Sequence, residues 1–473
     1  MVAEYKICRE VAEQLVDQWP DNDRSWQAAI RAWESCGDLE QAIQRLKARV
    51  QKPSPSHALQ VLLADMLERT HRIDEANDVI SQGESTPATD DYATLITGKL
   101  RRRQGKLDDA IYFLTRIRPT SETERWIVYA AGYELARCYD QSERYQEAFH
   151  TIGVTKQRQL KEIRPWVPQA LQYMQFHEQL ASQLEEKHIH PSPADGEVPN
   201  SKSAFPLVML GGFPRSGTTL VESSLARHSA LRTLEETPAF SQSILNSLME
   251  SSSDNRGPLD VLSTVGEDHL AACRETYIRR GCEYFRESFG EHRWIDKNPT
   301  LTPAAPFFLR TFPQTKFVIC VRDPRDVLLS NCFLPILQIN SFNTFYFRLT
   351  DLAKWMSVHW ECLKRFQEVA PNAVHLVSYE STIQNFEASL TKVLSFLDLP
   401  LEPAAISHAP SQEARIVRSP TYADVAKPLY SSAIGRWNNY AEQLAPAMEI
   451  LEPMIADWET LHTNIAAKAS GPS

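Results

Sequence analysis

Four short segments of the chain echo one another at a nearly fixed interval, and that interval constrains the fold of the first third more than any other feature. They are Gly37-Asp-Leu-Glu-Gln-Ala42, His71-Arg-Ile-Asp-Glu-Ala76, Gly105-Lys-Leu-Asp-Asp-Ala110 and Glu143-Arg-Tyr-Gln-Glu-Ala148. Their alanines fall 34, 34 and 38 residues apart. Such a period marks stacked helical units, each burying its apolar face only against its neighbours. The small alanine lets a second helix pack close to a first. An apolar residue three positions earlier (Leu39, Ile73, Leu107, Tyr145) anchors the start of that second helix. A large apolar residue falls in the first helix of three units, at Trp33, Leu67 and Tyr139. The third unit has Arg101 there and is degenerate.

The 34-residue period resembles that of tetratricopeptide repeats over about residues 20–160. The resemblance implies a solenoid of helical hairpins that presents a surface to a protein partner, to a substrate or to a second subunit. The stretch from His188 to Lys202 holds three prolines and little apolar content, so it reads as a linker. His188 and His190 lack nearby partners and read as solvated linker residues rather than metal ligands. Beyond the linker, apolar runs of strand length alternate with helical patterns, the signature of an α/β domain around a parallel sheet. The expected organisation is a helical repeat domain over 1–187, a linker over 188–205 and an α/β domain over 206–473.

Composition narrows the function. The 473 residues carry a formal net charge of −10, a poor basis for non-specific binding of nucleic acid or anionic membrane. No apolar run approaches the ~18 residues of a membrane span, and the first residues lack the apolar core of a secretory signal. A cytoplasmic location is the expectation. None of the eight cysteines forms a CxxC pair, and Cys320 sits inside the apolar run Phe317-Val-Ile-Cys-Val321. Buried free thiols are expected, and no metal site.

The chemistry begins at Leu207-Val-Met-Leu210, which reads as a buried strand. It runs into Gly211-Gly-Phe-Pro-Arg-Ser-Gly-Thr-Thr219 and then into a helical stretch from Leu220. Strand, glycine loop and helix form a phosphate cradle: backbone N–H groups turn inward and the helix N-terminus adds partial positive charge. Gly212 and Gly217 have the spacing of a nucleotide-hydrolase loop, but Thr218 stands where that loop has lysine. Arg215 supplies positive charge from inside the loop instead. This argues against a magnesium nucleotide and suits a donor whose terminal group moves without a metal. A second strand-turn-helix element, Lys316 to Ser330, places Arg322 at a strand end and Ser330 on the following helix, eight residues on, where both can converge on one phosphate.

The two elements together resemble sulfotransferases that use 3′-phosphoadenosine 5′-phosphosulfate (PAPS) and release 3′-phosphoadenosine 5′-phosphate. Pro214-Arg-Ser-Gly-Thr-Thr-Leu220 is similar to the family's 5′-phosphosulfate loop, and Arg322 with Ser330 to its 3′-phosphate motif. The likeness runs over about 206–460 and is greatest to the tyrosylprotein type, which implies a P-loop-like three-layer α/β fold. It implies Arg215, Ser216, Gly217, Thr218, Thr219, Arg322 and Ser330 as donor-binding residues. Tyr379, in Val377-Ser-Tyr-Glu380, falls near the adenosine and Lys427 on the 3′-phosphate side. In Leu234-Glu-Glu-Thr237 the catalytic base falls on Glu236, with Glu235 as fallback. In Trp294-Ile-Asp-Lys-Asn-Pro299 the lysine assisting the leaving group falls on Lys297. Ser419 has no committed role.

On chemical grounds sulfuryl transfer needs a base for the acceptor hydroxyl, which suits Glu236, and cations for the leaving oxygen, which suit Lys297 and Arg215. The acceptor is less constrained. The family places a basic residue after Glu-Glu-Thr to hold an acidic peptide, and here that residue is Pro238. Arg274, Arg279, Arg280, Arg286 and Arg293 either replace it or form a solvated helix face. Peptidyl tyrosine leads; a glycan, lipid or small alcohol stays open. The alternative readings are a non-catalytic repeat scaffold with a nucleotide-binding domain, and a P-loop-type kinase.

Overall fold

The computed structural model describes residues 5–52, 56–82, 90–120, 123–189, 207–250, 257–406, 429 and 431–469. After α1 (Tyr5–Gln18) come four helical hairpins: α2 (Asp23–Ser35) with α3 (Leu39–Val50), α4 (His57–Arg69) with α5 (Ile73–Ser81), α6 (Asp91–Arg103) with α7 (Leu107–Arg116), and α8 (Arg125–Gln141) with α9 (Tyr145–Ile163). The repeated alanines Ala42, Ala76, Ala110 and Ala148 are all fully buried on the second helices. Each hairpin turns at the same point. Gly37, His71, Gly105 and Glu143 are left-handed, with φ of 82°, 63°, 76° and 60°. The N–H of the following residue closes back onto the first helix: Asp38 on Trp33, Arg72 on Leu67, Lys106 on Arg101 and Arg144 on Tyr139, at 2.8–2.9 Å. This is the six-to-one cap that ends a helix in a left-handed residue. Arg101 therefore keeps the backbone role of its unit although its side chain departs from the pattern.

Helix α10 (Val167–Gln183) follows, and then a short turn, Glu186–Ile189. Residues 188 and 189 depart from the linker expectation: His188 is buried, its Nδ1 accepting the Glu185 N–H at 2.8 Å, and Ile189 is fully buried in the core. An apolar anchor outweighs the prolines that follow it. His190 lies outside the described residues.

The second part is built on β1 (Val208–Gly212), α11 (Thr218–Leu225), β2 (Leu231–Glu235), α12 (Glu267–Phe285), β3 (Arg293–Lys297), β4 (Lys316–Val321), α13 (Pro324–Cys332), α14 (Leu349–Val369), β5 (Val374–Ser378), α15 (Tyr379–Gln384) and α16 (Ala441–Ala469). Among the described residues the strands form one sheet in the order β2-β3-β1-β4-β5, every pair parallel. Both faces are covered. Val208, Leu210, Ile295, Val318 and Cys320 pack on one side with Leu225 and Leu390, while Met209, Phe317 and Ile319 pack on the other with Phe307 and Phe308. Burial on both faces is why these strands read as unbroken apolar runs. The chain runs from β1 to β2 and β3 on one side and then crosses to β4 and β5 on the other, so a crevice opens at the carboxyl end beside β1.

The last hairpin, α8 with α9, shares the sheet's core. Tyr129, Tyr133, Ile152 and Ile163 belong to the same apolar cluster as Phe307 and Phe317, whereas α1 to α6 carry a cluster of their own. Further ties cross between the two parts. Arg9 donates to the carbonyls of Glu283 (2.7 Å) and Tyr284 (3.1 Å) at the end of α12. All eight cysteines are free, and six are buried. Among the described residues no helix is long and apolar enough to cross a membrane.

Candidate active site

The crevice at the carboxyl end of the sheet opens into a cavity of about 1240 Å³. Its floor is the loop between β1 and α11. The Gly212 N–H donates to Thr302 Oγ1 at 2.8 Å, which fixes the start of the loop. Arg215 is left-handed at φ 77° and Gly217 at φ 100°. A Cβ on Gly217 would stand 2.6 Å from the Tyr379 ring, so only glycine lets that ring close on the loop. Ser216 turns its hydroxyl back to the Phe213 carbonyl at 2.6 Å and is buried. The first N–H groups of α11 begin at Thr218, where helix geometry leaves donors unsatisfied.

Three cationic and polar side chains gather over this loop. Arg215 Nε donates to Ser330 Oγ at 2.8 Å. Arg322 donates to the Arg215 carbonyl at 3.2 Å and also to the Ala433 carbonyl. Its guanidinium lies 4.5 Å from the centre of the Tyr379 ring. Asp326 stands 3.8 Å from it while accepting the N–H groups of Gly435 and Trp437 at 2.7 and 2.9 Å. The Arg322 Nε is buried and has no hydrogen-bond partner among the described residues, a donor in search of an acceptor.

Glu236 follows the end of β2, in a left-handed conformation at φ 48°. Its N–H donates to the Lys297 carbonyl at 2.9 Å, which turns its side chain towards the cavity. Lys297 itself is fully buried behind that wall. Its Nζ meets Glu236 at 2.7 Å, Glu222 at 3.4 Å and Glu235 at 3.6 Å. Burial pulls its pKa down, but the three carboxylates outweigh burial and raise the ammonium above its ordinary value. Asp296, next along β3, is pushed up to about 7 by burial, against the hydrogen bond from Tyr277.

The cavity thus gathers Arg215, Gly217, Thr218, Thr219, Glu236, Arg322, Ser330 and Tyr379. It does not gather Ser216, Glu235 or Lys297, whose side chains stand behind the wall. Lys427 and Ser419 lie outside the described residues. The arginines preceding Lys297 are engaged elsewhere. Arg274 meets Glu267 and the Thr311 carbonyl, Arg279 meets Glu283, Arg280 is buried against Ser243, Arg286 meets Asp38, and Arg293 donates to the Leu397 carbonyl. Neither sequence reading of this cluster accounts for the buried Arg280. Sequence reasoning missed Thr302, and Asn331, which donates to the Pro214 carbonyl at 2.9 Å. It also missed Glu222 as a partner of Lys297. Glu222 sits one turn into α11, a spacing that faces it back under the loop.

Three other groups face the cavity as rival bases. His71 Nδ1 accepts from Arg103 at 2.7 Å. His359 is held neutral, pushed down to about 3 by burial and then by nearby His177. Asp140 pairs with Arg436 at 2.8 Å and accepts the Tyr440 hydroxyl at 2.6 Å.

Residues 206–403 match the model of the Sulfotransferase family. An uncharacterized protein of Aquifex aeolicus (strain VF5) is 23% identical over 68% of this chain and 41% of its own length. Protein-tyrosine sulfotransferase A of Caenorhabditis elegans is 24% identical over 53% of this chain and 66% of its own. The chain therefore spans less than two thirds of either relative. Among solved structures, a sulfotransferase domain from the curacin biosynthetic pathway covers 51% of this chain and 97% of its own, at 17% identity and a TM-score of 0.32.

Proposed function

We propose that the sulfotransferase family domain over 206–403 carries the chain's activity, moving a sulfuryl group from PAPS to an acceptor hydroxyl, with peptidyl tyrosine the leading acceptor. One observation carries the reading. Arg215, Arg322 and Ser330 converge at a glycine loop and helix start, and the buried Arg322 Nε there lacks an acceptor among the described residues. A donor with phosphate groups at both ends of a ribose supplies acceptors for such an arrangement. The helical hairpins ahead of it are proposed to be tetratricopeptide-type repeats.

In the proposed step the acceptor oxygen attacks sulfur in line with the bridging oxygen. The acceptor O–H proton passes to Glu236 as the new S–O bond forms. The old S–O bond breaks, and its electron pair leaves on the 5′-phosphate of 3′-phosphoadenosine 5′-phosphate. Arg215 stabilises that charge, as preorganised donors do at a developing anion. Lys297 keeps Glu236 ionised before the step. Once Glu236 is protonated, the ammonium has one carboxylate fewer to satisfy, and its charge behind the wall adds positive potential for the leaving oxygen. Ser216 holds the loop, and Tyr379 supports Arg322 and flanks the adenosine side. Lys427 is proposed for the 3′-phosphate side.

Release of 3′-phosphoadenosine 5′-phosphate from PAPS, with a tyrosyl peptide as acceptor, tests the reading. The expected result is turnover that persists in EDTA, because arginines and not a metal meet the donor charge. Turnover of magnesium-ATP with none of PAPS would overturn it in favour of a kinase.

A further inference from the structure

The cavity is not closed by the sheet domain alone. His71, Arg102, Arg103 and Arg137 from the helical hairpins, with Tyr173 of α10, complete its wall. Six arginines line the cavity: 102, 103, 137, 215, 322 and 436. The carboxylates among its described lining residues are Asp140 and Glu236. Arg436 is matched by Asp140, and Arg215 and Arg322 stand at the glycine loop. Of the hairpin arginines, Arg103 pairs with the fully buried Glu68 at 3.5 Å and donates to His71 Nδ1 at 2.7 Å.

Arg102 and Arg137 share a single carboxylate. Glu134 meets Arg102 at 2.7 Å and Arg137 at 2.8 Å, and it lies behind the wall with its side chain 7% exposed. One carboxylate ties α6 to α8, and Arg102 alone is enough for that tie. Arg137 adds a second positive charge whose side chain stays 28% exposed. Arg102, Arg103 and Arg137 thus stand against Glu68 and Glu134, and the one positive charge left over favours a negatively charged ligand segment.

The 333–346 segment also lines the cavity, mostly with apolar side chains such as Leu334, Leu337 and Phe342, and with the polar Gln338, Asn340 and Asn343. Helix α9 holds this loop in place: buried Lys156 donates to the Tyr346 carbonyl at 2.7 Å, and buried Gln159 to the Ile336 carbonyl at 2.6 Å. Phe342 is 50% exposed and ready for a contact. An aromatic ring can pack against these aromatic and aliphatic side chains.

We infer that the helical hairpins are part of the acceptor site. Arg137, supported by Arg102 and Arg103, reads carboxylates that flank the acceptor residue of an acidic polypeptide segment, while the 333–346 loop holds its ring. This rests on the transfer reading above and takes over the contact that Pro238 cannot make.

The test is binding, so that it stands apart from turnover. Fluorescence anisotropy would follow a labelled tyrosyl peptide flanked by aspartates, the same peptide with asparagines, and a heparan sulfate fragment. The full chain is used with saturating 3′-phosphoadenosine 5′-phosphate. The wild type is expected to bind the aspartate peptide about tenfold or more tightly than its asparagine counterpart, the worth of a charge-assisted hydrogen bond. Arg137→Glu is expected to abolish that preference. Arg137→Gln serves if the charge reversal beside Glu134 prevents folding. Equal affinity for both peptides, a preference that survives both variants, or binding of the heparan fragment with no peptide bound would each overturn the inference. Affinity for 3′-phosphoadenosine 5′-phosphate, measured on the same samples, reports separately on the transfer reading.

Discussion

Glu236→Gln is expected to lower the transfer rate by about 10²–10⁴, the usual worth of a positioned general base, while affinity for 3′-phosphoadenosine 5′-phosphate stays within about twofold. The expectation follows from the ionisable groups that face the cavity. His359 is neutral but too weakly basic, pushed down to about 3, Asp140 is tied to Arg436 and Tyr440, and His71 Nδ1 is occupied by Arg103. Glu236 alone among these combines a carboxylate on the wall with a side chain 38% exposed. Glutamine keeps the shape and can still meet Lys297, so loss of rate without loss of donor binding isolates the proton transfer. A variant that transfers at the wild-type rate would remove Glu236 from the mechanism. The assay is single-turnover release of 3′-phosphoadenosine 5′-phosphate.

Lys297→Met is expected to act on stability first. The ammonium is fully buried and compensates Glu222, Glu235 and Glu236, two of them also buried. Removing the cation leaves carboxylates facing one another without a counter-charge, a change that costs about 3–5 kcal/mol in comparable buried pairs. The loss also depends on pH, with a definite sign. The folded pKa of Lys297 is raised, so its own contribution is fully present below its unfolded value near ~10.4 and is lost only above that. Between pH 5 and 8 that contribution is constant. Without Lys297 the clustered carboxylates favour their protonated forms, so their mutual repulsion fades as pH falls. Urea midpoints at pH 8 and pH 5 should show a wide gap between wild type and variant at pH 8 and a narrower one at pH 5. An equal gap at both values would mean that packing, not charge, is what Lys297 supplies.

What could be read from the sequence was local. The hairpin turns follow from residues 37, 71, 105 and 143, because a left-handed cap and the helix starting two residues later lie within one short segment. The β1 loop was equally legible, since strand, glycines and helix start are contiguous. Contacts across long separations were not. Nothing near Gly217 announces that Tyr379 will close against it, or that Asn331 will hold Pro214. The burial of Lys297 depends on Glu222 in a different element, and a lysine in a polar-looking turn gives no sign of it. Arg137 reads as an ordinary helix-surface charge until α8 is placed against the sheet domain. His188 read as solvated because its neighbours are prolines, whereas the adjacent Ile189 draws the turn into the core.

The central claim is that the glycine loop and Arg322 bind a donor marked by a 3′-phosphate. The most direct measurement is a calorimetric titration of 3′-phosphoadenosine 5′-phosphate without magnesium, against 5′-AMP and ATP, on wild type and Arg322→Ala. The account predicts tight binding in the wild type and much weaker binding of 5′-AMP. In the variant, affinity should fall by about tenfold to a hundredfold, the worth of one or two charge-assisted hydrogen bonds, and the preference over 5′-AMP should disappear. Equal affinity for 5′-AMP in the wild type, or a strong preference for magnesium-ATP, would contradict it.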